Sequence, residues 1–395
     1  MTTTMVERRP GLATDAVAGV RPGEVVTPRS VAEVAEVLRS GIADAKTVVP
    51  TGGRSKLTWA APPTSLDLLL DITRLDRVVE HVAGDLVVVA EAGVRLVDLQ
   101  AQLAGAGQLL GLDPPEEGAT LGGLVSANAS GPRRLRYGTV RDLLIGVTVV
   151  LADGTVASAG GKVVKNVAGY DLGKLYTGAH GTLGVVVSTT WRLHPVQPAR
   201  RVLVLDLPEA AAVGALAVRL VRSTLTPSAV ELLCTAGGAG RLVVLFESIP
   251  ESVQAQAAAA QELLGGGDVL EDPPPEFGSR PGSADDVLLR LAFLPTALPT
   301  VLSALPAGSA VTASAATGVA YAALAPETAA EALPALRTAL ARFDGTAVVL
   351  RAPDAVRDAL DHWGPVGDAL DLMRRVKHRF DPERRMSPGR FVGGI

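Results

Sequence analysis

At 395 residues, 48% of them hydrophobic and only 3% aromatic, the chain exceeds one typical core and predicts two domains packed from Ala, Val and Leu. A formal net charge of −4 offers no basic field for nucleic acid, and the single cysteine, Cys234, excludes a disulfide framework, a Cys-ligated zinc or an iron–sulfur cluster held by this chain alone. Residues 1–20 mix charge and proline without an apolar core, and no run of about 20 apolar residues occurs, so the expectation is a soluble cytoplasmic protein with neither signal peptide nor membrane span.

In chain order, residues 31–38 carry apolar side chains at helical spacing behind a Thr27-Pro28-Arg29-Ser30 helix start. Residues 47–50 read as a short strand entering a Gly-rich turn, and 66–71 as another, completing a small βαβ unit. A second unit opens with a strand and turn over 86–93 and a helix over Leu96–Ala104. Strands follow over 144–151, closed by the Ala152-Asp153-Gly154 turn, and over Val185–Arg192, before Pro195 and Pro198 mark a boundary.

Beyond residue 200, strands at 201–205, 242–246, 288–293, Val319–Leu324 and 346–350 alternate with Ala-rich helices near 209–222, 251–264, 296–304 and 327–341. That alternation predicts an α+β sheet covered by helices on one face. Residues 271–282 read as a surface loop, and 368–380 as a basic helix stopped at Asp381-Pro382.

Three segments have the composition of ligand-binding loops. Pro50-Thr-Gly-Gly-Arg-Ser-Lys-Leu-Thr58 directly follows a strand. Its glycines let several backbone N–H groups converge on one anion, and Arg54 and Lys56 add charge suited to a pyrophosphate. It is neither a Walker loop nor a Gly-x-Gly-x-x-Gly fingerprint, and in isolation an ordinary turn is the better reading. Residues 113–131, rich in Gly, Ala, Ser, Thr and Asn, permit close backbone approach to a flat ligand, or a contact between small-residue helices. Gly178-Ala-His-Gly-Thr-Leu-Gly184 opens a strand and alone fits a simple turn. Of only six lysines, Lys56, Lys162, Lys165 and Lys174 fall in or beside these segments, either because compact ammonium groups are wanted there or by chance.

The order of the motifs is the stronger signal. Pro-x-Gly-Gly-x-Ser-x-Leu at 50–57 is followed by Glu-Ala-Gly-Val-x-Leu-x-Asp-Leu at 91–99 and Gly-Ala-Thr-Leu-Gly-Gly at 118–123. Arg136-Tyr-Gly-Thr-Val-Arg-Asp142 and Gly-Thr-Leu-Gly at 181–184 complete the series. Over residues 20–196 this resembles the FAD domain of the vanillyl-alcohol-oxidase (PCMH-type) family.

The resemblance implies an α+β fold: an N-terminal extension (1–19), a PCMH-type FAD-binding domain of two α+β subdomains (20–200), a smaller α+β cap domain (201–355), and a terminal helix and tail (356–395) returning to the FAD domain. It implies that Thr51, Gly52, Gly53, Arg54, Ser55 and Leu57 hold the pyrophosphate. Gly118, Thr120, Gly122, Gly123, Ser126, Asn128, Gly181 and Gly184 would contact the rest of the FAD. Covalent attachment in this family uses a His or Cys at the loop; this loop has neither, so non-covalent FAD is expected, with Cys234 a buried small hydrophobe.

Gly169-Tyr-Asp-Leu-Gly-Lys-Leu-Tyr-Thr-Gly178 after Val164-Lys-Asn, and an ending that runs from Arg374 through Asp381-Pro382 to Ser387-Pro-Gly-Arg-Phe-Val-Gly-Gly-Ile395, resemble the FAD-binding E subunits of bacterial glycolate oxidase complexes. This implies oxidation of glycolate or a similar short 2-hydroxy acid, with a catalytic flavoprotein subunit and an iron–sulfur subunit as partners. The His-x-Gly-Asp-Gly-Asn-x-x-His and Gly-Glu-His-Gly motifs of related D-2-hydroxyacid dehydrogenases are absent. His81 and His194 read as surface residues, His378 as part of a basic face, and His362 as structural. His180 lies inside a flavin-lining segment. No catalytic base or metal ligand is assigned; Arg290, Tyr321 and Arg390 are the polar groups expected to reach the flavin side. The alternatives are a self-sufficient FAD-dependent hydroxyacid dehydrogenase and a non-catalytic flavin scaffold.

Overall fold

A computed structural model of the chain describes residues 6–162 and 170–395. Strands β1 (Glu7–Pro10), β2 (Glu24–Thr27), β3 (Val48–Thr51) and β4 (Leu68–Asp71) form the first sheet, in the order β1-β2-β4-β3. β4 runs parallel to both β2 and β3, and Leu68, Leu69 and Leu70 are all buried because both sheet faces are covered. One cover is α1 (Val31–Ala43), which turns Val34, Val37 and Leu38 inward. Its start is fixed reciprocally: Glu33 N donates to Ser30 Oγ (3.2 Å), and the Glu33 carboxylate accepts from Arg29 N (2.7 Å).

The second sheet uses β5 (Val78–Val82) and β6 (Val87–Glu91). Then come α2 (Leu96–Ala104), a two-residue β7 (Gln108–Leu109), α3 (Leu121–Ala127), α4 (Arg134–Tyr137) and α5 (Val140–Leu143). β8 (Leu144–Val150), β9 (Val156–Gly160), α6 (Leu172–Tyr176), β10 (Val185–Arg192) and β11 (His194–Pro195) complete this half. The antiparallel order β5-β6-β10-β8-β9 puts β10 at the centre, where Trp191 is wholly buried and its Nε1 donates to Thr189 Oγ1 (2.8 Å). A single apolar core joins α1 and the first sheet to this second one, so the two subdomains share an interior.

The remaining chain builds an eight-stranded antiparallel sheet. Its elements are β12 (Ala199–Leu207), α7 (Val213–Arg222), β13 (Ala229–Thr235), β14 (Gly240–Ser248), α8 (Pro250–Leu264) and β15 (Asp268–Leu270). They continue with β16 (Val287–Ala292), α9 (Leu298–Ala304), β17 (Ala310–Ser314), β18 (Val319–Leu324), α10 (Pro326–Ala341) and β19 (Thr346–Arg351). The order is β15-β12-β14-β13-β17-β18-β16-β19. Alternate residues (Val230, Leu232, Ala313, Ala320, Ala322, Leu289, Leu291) enter a core with the four helices. The intervening ones (Glu231, Thr312, Tyr321, Arg290) occupy the opposite face, which also carries Leu288 and Leu350 against Trp59 of the first half. Strands β13 and β17 were absent from the sequence reading: Glu231 interrupts one apolar run, and Ala-Val-Thr-Ala-Ser has little β-forming bulk.

After α11 (Asp354–Arg357), α12 (Ala369–Phe380) brings the chain back to the first half. Lys377, 1% exposed, donates from Nζ to Thr182 O (2.7 Å), Asp381 Oδ2 (2.6 Å) and Met386 O (2.8 Å). The tail then lies along β3: Val48 N donates to Arg385 O (2.9 Å), and Ser387 N to Val48 O (2.8 Å). Replacing Lys377 by Ala strands Asp381 as a buried unpaired carboxylate, so we expect a loss of about 3–5 kcal/mol in denaturant unfolding. Lys174→Ala removes only an exposed pair with Asp171 and should cost less than about 1 kcal/mol. Equal midpoints for the two variants would remove Lys377 from its structural role.

Candidate functional site

β3 ends at Thr51, and the chain turns through the glycines that follow. Among the described residues, no acceptor takes a hydrogen bond from the backbone N–H of Gly52, Gly53, Arg54, Ser55 or Lys56. This loop rims a cleft of about 760 Å³, its open mouth included. Thr51 Oγ1 and Thr120 Oγ1 are buried in the cleft wall without a partner. Successive free N–H groups with hydroxyls beside them are what a pyrophosphate requires, so the residues present fit FAD.

The cleft gathers Thr51, Gly52, Gly53, Arg54, Ser55 and Leu57 with Thr120, Gly122, Gly123, Ser126 and Gly181. Gly118, Asn128 and Gly184 stand outside it. A Cβ on Gly53 would come 1.7 Å from Gly118 O, so these two glycines pack backbone on backbone. Gly184 backs onto Val150 O, and Asn128 caps α3 and lines a neighbouring chamber. Gly181 has φ +75°, and a Cβ there would press on Pro50 and on Ser387 of the tail.

The charges are arranged differently from the sequence expectation. The Arg54 guanidinium is committed to Asp15 (2.6 Å) and Asp71 (3.2 Å). Arg9 also binds Asp15, and with Arg54 it holds that carboxyl far below the usual range despite burial. Of the four lysines, Lys56 enters the cleft, 3.4 Å from Glu116, while Lys162 pairs with Glu80 and Lys174 with Asp171 at the surface. Lys165 lies outside the described residues, as do Val164 and Gly169 of the quoted motif.

A second chamber adjoins the cleft and shares Trp59, Ala127 and His180 with it; Asn128, Arg290, Tyr321, Leu350 and Trp363 complete much of its wall. Arg390, 5% exposed, reaches the cleft wall and donates only to backbone carbonyls, Trp59 O (2.5 Å) and Leu57 O (3.5 Å). Burial draws its guanidinium down to about 10. Desolvation, then the positive fields of Arg390 and Arg290, bring His180 down to about 3 and keep the imidazole neutral. The Arg290 guanidinium has no hydrogen-bond partner among the described residues, although its backbone is paired in the sheet.

Sequence reasoning missed Arg280 and Arg134. Residues 271–282 are not simply a surface loop: Arg280 is 15% exposed at its side chain, binds Glu116 (2.7 Å), and stacks 3.7 Å from the Tyr321 ring centroid. Arg134 Nη2 lies 3.4 Å from Tyr321 Oη. Nothing in a Pro- and Gly-rich stretch signals which arginine turns inward.

The other histidines sit elsewhere. His81 binds Gln108 (2.9 Å), and His194 packs on Tyr137 with ring centroids 4.8 Å apart; both are half-buried rather than on the surface. His362 is buried in a separate cavity with Arg357 and Gly393, and His378 is exposed. Cys234 is half-buried on β13, and burial pushes its thiol up to about 12. Among the described residues no group of His, Cys, Asp and Glu is arranged for a metal, and no helix is long and apolar enough to cross a membrane.

Residues 22–160 match the model of an FAD binding domain, and residues 360–391 match the C-terminal domain of FAD linked oxidases. The glycolate oxidase subunit GlcE of Escherichia coli (strain K12) is 34% identical over 236 residues, covering 59% of this chain and 64% of that protein. Subunit GlcD of Bacillus subtilis (strain 168) is 30% identical over 213 residues, 54% of this chain and 45% of its own. The D-lactate dehydrogenase of Archaeoglobus fulgidus is 32% identical over 255 residues, 60% and 57% respectively. Each match thus spans less than two thirds of the relative's length. The solved alkyldihydroxyacetonephosphate synthase superposes with a TM-score of 0.70 at 17% identity, covering 94% of this chain and 78% of that one. The chain therefore carries an FAD binding domain of the FAD-linked oxidoreductases, in a PCMH-type fold.

Proposed function

We propose that this chain is the FAD-binding subunit of a glycolate oxidase-type complex that oxidises glycolate or a similar short 2-hydroxy acid. FAD supplies the two-electron acceptor, held without a covalent bond, and partner subunits (a second flavoprotein and an iron–sulfur protein) carry the electrons onward. One observation carries the reading. Arg290 and Arg390 flank the neutral His180 where cleft and chamber meet, and neither has a carboxylate partner among the described residues. A buried and a half-buried guanidinium left without an anion suit the carboxylate of a small acid, which Arg grips by paired hydrogen bonds. The likeness to GlcD, GlcE and D-lactate dehydrogenase supports the same class of substrate. Non-covalent binding is supported by the position of Cys234, which lines neither cavity.

The purified protein should be yellow, and acid precipitation should release FAD into the supernatant. Gly53→Val should be colourless, because its side chain collides with Gly118 O and pushes the loop out of shape. A Gly53→Val protein with full flavin content would discount the packing of that loop.

For the reaction, anaerobic glycolate or D-lactate should bleach the bound flavin of the chain in a single turnover. Sustained reduction of a dye should require co-expressed partners. A flavin indifferent to both acids overturns the substrate reading, and vigorous dye reduction by the single chain overturns the need for partners.

A further inference from the structure

The chamber needs a group to take the hydroxyl proton of a 2-hydroxy acid, and the sequence offers no histidine motif for it. A general base works best when its proton affinity lies near the working pH and it lies within hydrogen-bond reach of the proton. His180 lines the chamber but is held at about 3 by desolvation and by Arg390 and Arg290, so it accepts protons poorly. His362 lies in another cavity, Lys56 is engaged by Glu116, and Glu231, although raised to about 7 by burial, lines neither cleft nor chamber.

Tyr321 remains. It stands on β18 directly opposite Arg290 of β16 in the antiparallel register, with its ring in the chamber wall and 6% of its surface exposed. The Arg280 guanidinium stacks 3.7 Å from its ring centroid, and Arg134 Nη2 lies 3.4 Å from its hydroxyl. We propose that Tyr321 is the proton acceptor of this site, its phenolate receiving the hydroxyl proton of the 2-hydroxy acid. The inference rests on the proposed function above.

The step balances. The C2–H bond breaks with its electron pair toward FAD, which is reduced by two electrons. The substrate O–H bond breaks toward Tyr321 Oη, the C2–O bond becomes a carbonyl, and the phenolate becomes a phenol. The charged groups around Tyr321 support this cycle. Burial by itself pushes a phenol upward, but Arg280, Arg134 and Arg290 outweigh it and bring Tyr321 to about 8. From the other packed elements, Lys56 adds positive charge, Glu116 is shared between Lys56 and Arg280, Glu231 lies near Arg134 and Arg280, and Arg390 stands beyond His180. Tyr137 and Tyr176 are both pushed upward by burial: at Tyr137, Arg136 and Arg133 are opposed by Glu247 and Asp113, and at Tyr176 burial acts alone.

Two measurements on the FAD-loaded full chain test the inference, with Tyr321→Phe matched to it for flavin content and melting temperature. The first is the ultraviolet tyrosinate titration of the protein. A transition centred at about pH 8 should appear in the parent and vanish in Tyr321→Phe. The second is stopped-flow flavin reduction by glycolate or D-lactate across pH. The parent rate should rise through the same pH, whereas Tyr321→Phe should lose that limb and fall by about 10²–10⁴-fold. A missing tyrosinate transition overturns the inference, as does a Tyr321→Phe protein that keeps its rate and pH limb; both leave the proposed function standing. If neither acid reduces the parent flavin, the proposed function falls and the inference with it.

Discussion

One buried ammonium ties the Gly181 turn of the cleft wall to the end of α12 and to the tail that carries Arg390. Lys377 uses all three of its donors: on Thr182 O beside the Gly181 turn, on Asp381 at the end of α12, and on Met386 O of the tail. Burial pulls the ammonium toward losing its proton, and Asp381 opposes that pull. Asp381 in turn accepts from Met386 N (2.8 Å) and Arg385 N (3.0 Å), so both carboxylate oxygens are engaged. A buried pair earns little net stability by itself, but one so fully hydrogen-bonded admits few alternative arrangements. From that knot the tail joins β3 and presents Arg390 to the carbonyls of Leu57 and Trp59. The geometry of the cleft mouth therefore depends on a residue distant from it in sequence.

The second constraint is electrostatic. Lys56, Arg290 and Arg390 line the two cavities, Arg134 and Arg280 contact Tyr321 of the chamber wall, and Glu116 is the carboxylate that Lys56 and Arg280 share. Glu231, at about 7, contributes only part of a negative charge near neutrality. Such an excess of partly buried positive charge is unfavourable in the protein alone, and the apolar cores on either side must offset it. Negatively charged groups entering the junction relieve that repulsion. An electrostatic field of this kind selects anions before any shape-specific contact is made.

Much of this was legible in the residues. Strong apolar periodicity located α2, β10 and β18 to the residue, because propensity and burial agree there. The Gly-rich loop after β3 was singled out by the order of the motifs that follow it, since its glycines alone fit an ordinary turn. The sequence reading was less informative where side chains choose partners. Arg54 was expected to face a phosphate and instead binds Asp15 and Asp71, which lie far from it along the chain. Lys162 and Lys174 were grouped with the ligand by position and turned outward to Glu80 and Asp171. The inward turn of Arg280 depends on Glu116 and Tyr321, contributed by two different parts of the fold. Local pattern cannot encode such pairings.

The division of labour between the halves follows from the period of a β-strand. On β16 and β18, Arg290 and Tyr321 are directly paired, while their neighbours Leu289, Leu291, Ala320 and Ala322 point the other way into the helix-covered core. A slip of one residue on either strand would exchange the faces, burying Arg290 or Tyr321 among leucines and setting a leucine or alanine toward the flavin side. The helices α7–α10 therefore do more than cover a sheet: by requiring the apolar set on their side, they fix the polar set on the other. The first half supplies Trp59, Asn128 and His180 to the chamber, and the sheet supplies Arg290 and Tyr321, so neither half contains the chamber alone. A PCMH-type domain can thus keep its cofactor loop while the chemistry beside it is rewritten by single substitutions on one face of the neighbouring sheet.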